Sequence, residues 1–362
     1  VLGVCGCMPA EPHRREQLKK SYPYVNFILS TSQLYRLPEY LFEALSAGRR
    51  VFRAQEEMSL FEDVPISRAS DYRAFVSIMY GCNNFCTYCV VPYVRGRERS
   101  REPEAVIAEV KALVEKGYRD ITLLGQNVNS YRRGATDGYE FPDLLRDLDR
   151  IEGDFLLRFM TSHPKDATRK LVDVMAGGQH IAHAFHLPLQ SGSDRILSEM
   201  NRHYDRAAYL SVLSYLREKM PDAAVTSDII VGFPGETEED FEETLEMLRR
   251  CRFDMVYSFI YSPRKGTPAA QMENQIPREV QNSRYDRLLA LQDEIAGEVN
   301  RAAVGSVRRV LCDGVSKNDP GVFTGRDEQN KIVFFREEAN PGEFIRVKIT
   351  RSEPFALWGN RI

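Results

Sequence analysis

Apolar positions in the middle of the chain follow two alternating patterns, short β-branched runs and longer amphipathic stretches. The short runs predict six strands, which span residues 74–80, 120–125, 155–162, 182–189, 223–232 and 255–262. The stretches between them, for example 104–116 and 238–250, have the spacing of helices with one buried face. Strand–helix units in succession predict a parallel sheet with right-handed crossovers. The fold class is therefore α/β, and the pattern alone does not separate an open doubly wound sheet from a partial barrel.

The two ends of the chain follow other patterns. Residues 1–53 alternate strand and helix like the back half of a small α/β domain, and they start inside a strand-like run, so we expect an upstream part to be missing. Residues 54–71 are acidic and aperiodic, which predicts a linker. The core then spans 72–302. Residues 303–362 carry short β-rich runs separated by Gly and Pro, which predicts a small five-stranded β-barrel.

Charge and hydropathy narrow the environment of the protein. Among 362 residues, 49 Lys and Arg face 52 Asp and Glu, so a basic field over the whole chain is absent and RNA binding requires a local patch. No apolar run approaches the roughly 18 residues of a membrane span, and no secretion signal is recognisable. We therefore expect a cytoplasmic protein without a membrane segment.

Three of the seven cysteines form a C-x3-C-x2-C loop directly after the first core strand, namely Cys82, Cys86 and Cys89. Three thiolates on one loop favour an iron–sulfur cluster, and they leave one iron of a four-iron cube open to a substrate. A structural zinc site is the competing interpretation, with Cys5 or Cys7 as a fourth ligand through space. A redox pair needs only C-x2-C. We expect Cys5, Cys251 and Cys312 to be small buried side chains.

The cysteine loop, with Tyr88 before its last cysteine, resembles that of the radical S-adenosylmethionine (SAM) superfamily. The resemblance implies a partial (β/α)6 barrel with a 4Fe-4S cluster on Cys82, Cys86 and Cys89, whose open iron chelates SAM. Ligands of such sheets sit at the carboxyl ends of the strands, where polar side chains recur along this chain. Taken singly, each of these polar residues is explained equally well as a helix cap or turn residue and as a ligand contact. As a set they are the expected SAM contacts: Tyr88, Gln126, Asn127, Ser162, Gln190, Ser191 and Asp228.

Further motifs resemble the methylthiotransferase branch of this superfamily, at residues 91–101, 124–128, 161–164, 186–192, 226–237, 261–269 and 357–359. Within the branch the chain is most similar to the MiaB-type tRNA methylthiotransferases. Glu98 in the arginine-rich loop favours this type over the relatives that act on threonylcarbamoyladenosine or on a ribosomal protein. The resemblance implies transfer of a methylthio group to C2 of N6-isopentenyladenosine next to the tRNA anticodon. SAM would serve both as methyl donor and as radical source.

The same resemblance implies a second 4Fe-4S cluster, which members of the branch hold with three cysteines of the N-terminal domain. Cys7 matches the third of these ligands, and the other two are expected upstream of Val1, so this chain would hold that cluster incompletely. The C-terminal segment resembles the TRAM domain of RNA-modifying enzymes. We expect the tRNA anticodon stem-loop as partner, held through phosphate contacts by Arg95, Arg97, Arg99 and Arg101, although a solvated charged loop is the alternative.

Two other functions remain open at this stage. One is a methylthiotransferase for threonylcarbamoyladenosine in tRNA or for a ribosomal protein, and the other is an RNA-binding protein with a structural metal site. The enzyme reading also implies an external electron donor and a sulfur or iron–sulfur supply system, and we expect a monomer.

Overall fold

The computed structural model describes residues 1–53 and 66–362. The N-terminal unit pairs two parallel strands, β1 (Gly3–Cys5) and β2 (Phe27–Leu29), and adds the helices α1 (Pro12–Ser21) and α2 (Leu37–Ala47). Its small core includes Phe27, Leu29 and Tyr40. Most of the predicted linker, residues 54–65, lies outside the described residues.

Eight strands and seven helices form the central part of the chain before the long last helix. The strands are β3 (Arg73–Ser77), β4 (Met79–Tyr80), β5 (Arg99–Ser100), β6 (Asp120–Leu124), β7 (Leu156–Phe159), β8 (Ala184–His186), β9 (Ala224–Val231) and β10 (Met255–Ile260). The helices are α3 (Val91–Arg95), α4 (Pro103–Glu115), α5 (Phe141–Asp149), α6 (Arg169–Gly177), α7 (Asp194–Glu199), α8 (Arg206–Lys219), α9 (Glu238–Cys251) and α10 (Arg278–Arg301).

Six of these strands form one curved parallel array. Strands β3, β6 and β7 are hydrogen-bonded in that order, as are β8, β9 and β10, while β4 and β5 form a short antiparallel pair. A parallel bridge between Leu157 and Ile181 joins the two halves. The α/β class and the partial barrel are confirmed. Each predicted strand overlaps an observed one, but β8 is shorter than 182–189 because Pro188 has no amide hydrogen for the ladder.

The hydrophobic core lies between the strands and the surrounding helices. In β3, Ala74 and Val76 point outward into this core, where they pack with Val106 and Val110 of α4. The alternate residue Phe75 points to the concave face and is half-exposed. One face of the sheet is therefore packed into the hydrophobic core, and the other face lines the centre of the barrel.

The predicted five-stranded barrel is present at the C-terminus. Its strands are β11 (Val307–Val315), β12 (Phe323–Asp327), β13 (Ile332–Phe335), β14 (Phe344–Glu353) and β15 (Ala356–Arg361), closed in the order β11-β12-β13-β15-β14. The turn between β12 and β13 covers the amino-terminal ends of the core strands. There Arg158 of β7 donates to the Asp327 carbonyl oxygen at 2.8 Å, and Lys331 pairs with Asp254. In the described part of the chain, no helix is long and apolar enough to cross a membrane.

Candidate functional site

The three clustered cysteines lie on the loop between β4 and α3, at the carboxyl end of the first core strand. Cys82 and Cys86 are buried and Cys89 is half-buried. Burial raises the pKa of Cys82 to about 11 and also raises the pKa of Cys89. Thiols in such a place become thiolate ligands when a cationic centre replaces their protons.

The cysteine loop is held rigidly by its neighbours. The Asn201 side chain donates to the carbonyl oxygen of Phe85 at 3.0 Å, and the Thr87 hydroxyl donates to that of Glu199 at 2.9 Å. Gly81 opens the loop with a φ of 80°, and a Cβ there would lie 2.1 Å from the Arg97 carbonyl oxygen. Only glycine fits this turn. The loop therefore presents its thiols in a fixed arrangement.

Arg202 is a buried cation beside the thiols, and none of its contacts in the described part of the chain is to an Asp or Glu. Its guanidinium lies 3.4 Å from the Cys86 Sγ and 3.4 Å from the Tyr88 hydroxyl. It also donates to the Pro188 carbonyl oxygen and to the Tyr204 hydroxyl at 3.2 Å each. A buried charge is costly unless an anion pairs with it. The arrangement is therefore suited to an anionic group at the thiol loop.

The carboxyl ends of β6 and β7 carry buried polar atoms that lack partners among the described residues. They are Asn127 Oδ1, both amide atoms of Asn129, Ser162 Oγ and His163 Nε2. Such orphaned atoms are uncommon in folded proteins and indicate a polar ligand or water. His163 Nδ1 accepts from the Lys165 amide, so its Nε2 carries the hydrogen, and burial lowers the pKa of this imidazole. His163 is therefore a neutral donor.

The other predicted SAM contacts have different surroundings. The Gln126 side chain accepts from the Gly81 amide at 2.6 Å and so braces the cysteine loop. Ser191 is fully buried and accepts from the Ser193 amide at 3.2 Å. Gln190 takes a φ of 70° beside β9. Asp228 faces the barrel interior, 3.5 Å from His186 Nε2.

The four loop arginines do not form one exposed surface. Arg101 donates to the Ser77 carbonyl oxygen and pairs with Glu109 at 2.7 Å. Arg99 donates to the Arg95 carbonyl oxygen at 3.1 Å. Arg97 is exposed and lies over the Phe85 ring at 4.6 Å. Of the four, Arg97 has the exposure that a phosphate contact requires.

Cys7 lies next to the core although it is 88 positions from Arg95 in sequence. Its Sγ lies 3.2 Å from the Arg95 Nε. It follows β1 at the start of a short 3-10 helix, so the strand does not continue through it. Cys5 is exposed, contrary to expectation, whereas Cys251 and Cys312 are buried as expected.

The chemistry of the donor set, three thiols on one loop, fits an iron–sulfur cube. Among the described residues, no three His, Cys, Asp or Glu side chains are arranged to hold one metal ion. A cube takes its thiolates on separate irons, so its ligands do not converge on one point. The Arg202 guanidinium lies beside this thiol loop, and the orphaned polar atoms lie at the carboxyl ends of β6 and β7.

Arg202 and Tyr204 are site residues that the sequence analysis missed. The sequence offers one signal for them, the polar run from Asn201 to Tyr204. This run directly follows a short helical pattern, which in turn follows the Gln-Ser-Gly at a strand end. Nothing in that pattern places a guanidinium next to a cysteine more than 100 positions away.

Two family models match the chain. The Radical SAM superfamily matches residues 76–248 and the TRAM domain matches residues 301–360. A tRNA-2-methylthio-N(6)-dimethylallyladenosine synthase of Clostridium botulinum is 47% identical over all of this chain and 81% of its own length. A synthase of the same name from Acetivibrio thermocellus is 46% identical over 99% of this chain and 75% of its own length.

Among solved structures, the cobalamin-dependent S-adenosylmethionine radical enzyme OxsB with aqua-cobalamin and S-adenosylmethionine bound is similar at a TM-score of 0.55. The identity is 15%, and the match covers 81% of this chain and 43% of that one. At this identity the likeness shows the shared fold alone.

Proposed function

The chain belongs to the family of radical SAM tRNA-2-methylthio-N(6)-dimethylallyladenosine synthases, and from this premise we propose that it transfers a methylthio group to C2 of N6-dimethylallyladenosine in tRNA. Dimethylallyl and isopentenyl are two names for the same five-carbon group. The observation that carries the proposal is the rigid loop of three thiols beside a buried, acid-free guanidinium at the strand carboxyl ends.

Membership of the radical SAM superfamily implies a 4Fe-4S cluster and SAM. We assign the cluster to Cys82, Cys86 and Cys89. When bound, these cofactors supply the one-electron chemistry that an aromatic C–H bond requires, because adenine C2 offers neither an acidic proton nor a leaving group.

The chain's own residues bind and orient the cofactor. We propose that Arg202 pairs with the carboxylate of SAM, which would give the buried guanidinium its missing anion. The neutral His163, together with Asn127 and Ser162, supplies hydrogen bonds at the ends of β6 and β7. Tyr88 packs with Phe233 and Tyr261 in an apolar cluster that excludes water from one side of the thiol loop.

The tRNA is recognised through its anticodon stem-loop in this proposal. The TRAM match over residues 301–360 supports RNA as the substrate class. The target base has to leave the stack to reach the barrel, as enzymes that act on bases require. Arg97 is the loop arginine that we assign to phosphate, and we expect the enzyme to act in the cytoplasm, where its substrate is processed.

Several finer assignments belong to the same proposal. We propose a second 4Fe-4S cluster with Cys7 as one ligand, supported by the contact between Arg95 and Cys7 that places this thiol against the core. We also propose four segments at 1–53, 54–71, 72–302 and 303–362, an external electron donor, a sulfur or iron–sulfur supply system, and a monomeric enzyme.

The test is an anaerobic reaction of the full-length protein, reconstituted with iron and sulfide, with SAM, a chemical reductant and a dimethylallylated anticodon hairpin. Mass spectrometry would detect 5′-deoxyadenosine and a 2-methylthio nucleoside. Both products support the proposal. Formation of 5′-deoxyadenosine alone would reject methylthio transfer by this chain, and absence of both from a fully loaded protein would reject the enzyme assignment.

A hairpin that carries threonylcarbamoyladenosine is the matched substrate control. Faster methylthiolation of this hairpin than of the dimethylallylated one would overturn the proposed substrate while leaving the reaction type intact.

A further inference from the structure

A cavity of about 410 Å³ lies inside the partial barrel, toward the amino-terminal ends of its strands. The cysteine loop lies at the opposite, carboxyl ends. All six parallel strands contribute to its wall, and the C-terminal barrel closes one end with Ile332, Pro354 and Phe355. Its volume is within the range of about 300–1,000 Å³ that is usual for small-ligand pockets. None of the residues that we assign to the cluster or to SAM lines it.

The wall of this cavity presents large apolar side chains that the core does not use. Phe75 of β3 is 54% exposed and Tyr257 of β10 is 41% exposed. Met160, just after β7, is 37% exposed, and Phe355 at the closed end is 53% exposed. Exposed apolar side chains that converge on one concave surface indicate a binding site for an apolar group.

Charged residues at the closed end of the cavity are mostly neutralised in place. Arg73 and Arg158 both pair with Asp120, at 3.0 and 3.1 Å. Lys331 pairs with Asp254. The remaining cation of the described lining, Arg326, donates to the Asn330 carbonyl oxygen at 3.1 Å. Three of the four lining cations are thus paired with carboxylates, and the fourth, Arg326, is held at the closed end by a carbonyl oxygen.

His186, the histidine in the lining, is also engaged on both sides of its ring. Its Nδ1 lies 2.9 Å from the Thr226 hydroxyl, and its Nε2 lies 3.5 Å from the Asp228 carboxylate. The edge of the ring meets the Tyr257 ring, with centroids 5.8 Å apart. The imidazole thus extends the apolar wall instead of offering a free donor.

We propose that this cavity receives the dimethylallyl group of the target nucleoside, with Phe75, Met160 and Tyr257 as its wall and Phe355 as its floor. The inference rests on the proposed function. In adenine, C2 and C6 flank N1, so the C2–H bond and the C6–N6 bond point in different directions, and a base with C2 at the strand carboxyl ends can direct its N6 substituent into the barrel. The C-terminal barrel would then form part of the substrate pocket as well as contact RNA.

The test compares the affinity of the reconstituted chain for two labelled anticodon hairpins that differ only in the dimethylallyl group, measured by fluorescence anisotropy. An apolar pocket gains roughly 10- to 200-fold per methylene, so we expect the unmodified hairpin to bind at least about 100-fold more weakly. In Met160→Gln, Phe75→Ser and Phe355→Ser this preference should fall below about 10-fold, because each variant puts polar atoms against the group.

Val315→Ser is the matched control for Phe355→Ser, since Val315 is a similarly exposed apolar residue of the same barrel outside the cavity. Its preference should equal that of the parent chain. Retention of the full preference by the three cavity variants overturns the pocket and leaves the proposed reaction standing. Equal binding of both hairpins by the parent chain also overturns the pocket, and formation of the 2-methylthio product then decides separately on the proposed function.

Discussion

Arg202 shows how much of this site depends on one side chain. The residue is 4% exposed, and its guanidinium contacts Cys86, Tyr88, Tyr204 and a backbone carbonyl, yet no described carboxylate neutralises it. A protein that keeps such a cation at its cysteine loop bears a desolvation cost that only an anionic ligand offsets. For the proposed cofactor site the residue is therefore a stronger candidate than Gln126 or Ser191, whose side chains have hydrogen-bond partners in the protein.

Replacing Arg202 by Gln should weaken SAM binding by about 2 kcal/mol, roughly 30-fold, because a hydrogen bond to a charged group is lost. Equilibrium dialysis of SAM against the reconstituted protein measures the effect. Iron content should stay at the parent level, which separates a role in binding SAM from a role in cluster assembly. Unchanged SAM affinity would remove Arg202 from the SAM site.

The cysteines allow a matched pair of substitutions. Cys86→Ala should lose the bound iron and sulfide after anaerobic reconstitution, because one of three thiolates is gone. Cys251→Ala alters an equally buried thiol in α9, far along the chain, and should keep the parent iron content. Both variants should unfold cooperatively. Full iron loading of Cys86→Ala would contradict the cluster assignment.

At the scale of single elements, the turn before α9 is fixed by a capping box. Thr237 accepts from the Asp240 amide, and the Asp240 carboxylate accepts from the Thr237 amide at 2.8 Å. Burial opposes ionisation of Asp240, but hydrogen bonds from Arg195, Ser193 and Thr237 outweigh it and lower its pKa to about 2. The element therefore depends on a charged carboxylate.

Asp240→Ala should lower the free energy of unfolding by about 1 kcal/mol at pH 7, the usual value of a lost cap. Because the folded pKa lies below the unfolded value of 3.8, the carboxylate stabilises the fold above about pH 4, and this contribution fades as the pH falls toward 2. Urea unfolding of parent and variant at pH 7 and pH 3 measures the difference, which should be smaller at pH 3. An equal difference at both pH values would exclude the charge as its cause.

The elements also show where sequence patterns stop being informative. Apolar periodicity located the six parallel strands, and the amphipathic stretch 238–250 located α9. Strand β8 is shorter than predicted because Pro188 has no amide hydrogen. The proline is visible in the sequence, but apolar periodicity takes no account of it. Curvature of the sheet, and hence the cavity behind Phe75 and Tyr257, depends on contacts between distant strands. Likewise, Arg95 faces Cys7 and Arg101 faces Glu109 through tertiary contacts that charge patterning cannot resolve.

At the scale of the whole molecule, the C-terminal barrel is attached to the core by buried polar contacts. Arg158 is 8% exposed, pairs with Asp120 and donates to the Asp327 carbonyl oxygen across the junction. Asn300 of α10 adds hydrogen bonds to the carbonyl oxygens of Glu353 and Pro354 at 2.9 Å each. The barrel is thus seated on the amino-terminal ends of the core strands, which gives it a fixed position relative to the cysteine loop at their other ends.

Arg158→Met should therefore destabilise the junction strongly, because among the described residues it leaves the buried Asp120 with Arg73 as its single ion-pair partner and removes the donor to Asp327. Breaking a buried pair costs about 3–5 kcal/mol, whereas an exposed pair contributes about 0–1 kcal/mol. Arg119→Met is the matched control, since Arg119 forms an exposed pair with Asp154 at the same end of the barrel. Limited proteolysis followed by mass spectrometry should release the C-terminal barrel from Arg158→Met much faster than from Arg119→Met. Equal release rates would mean that the α10 contacts, and not Arg158, hold the barrel against the core.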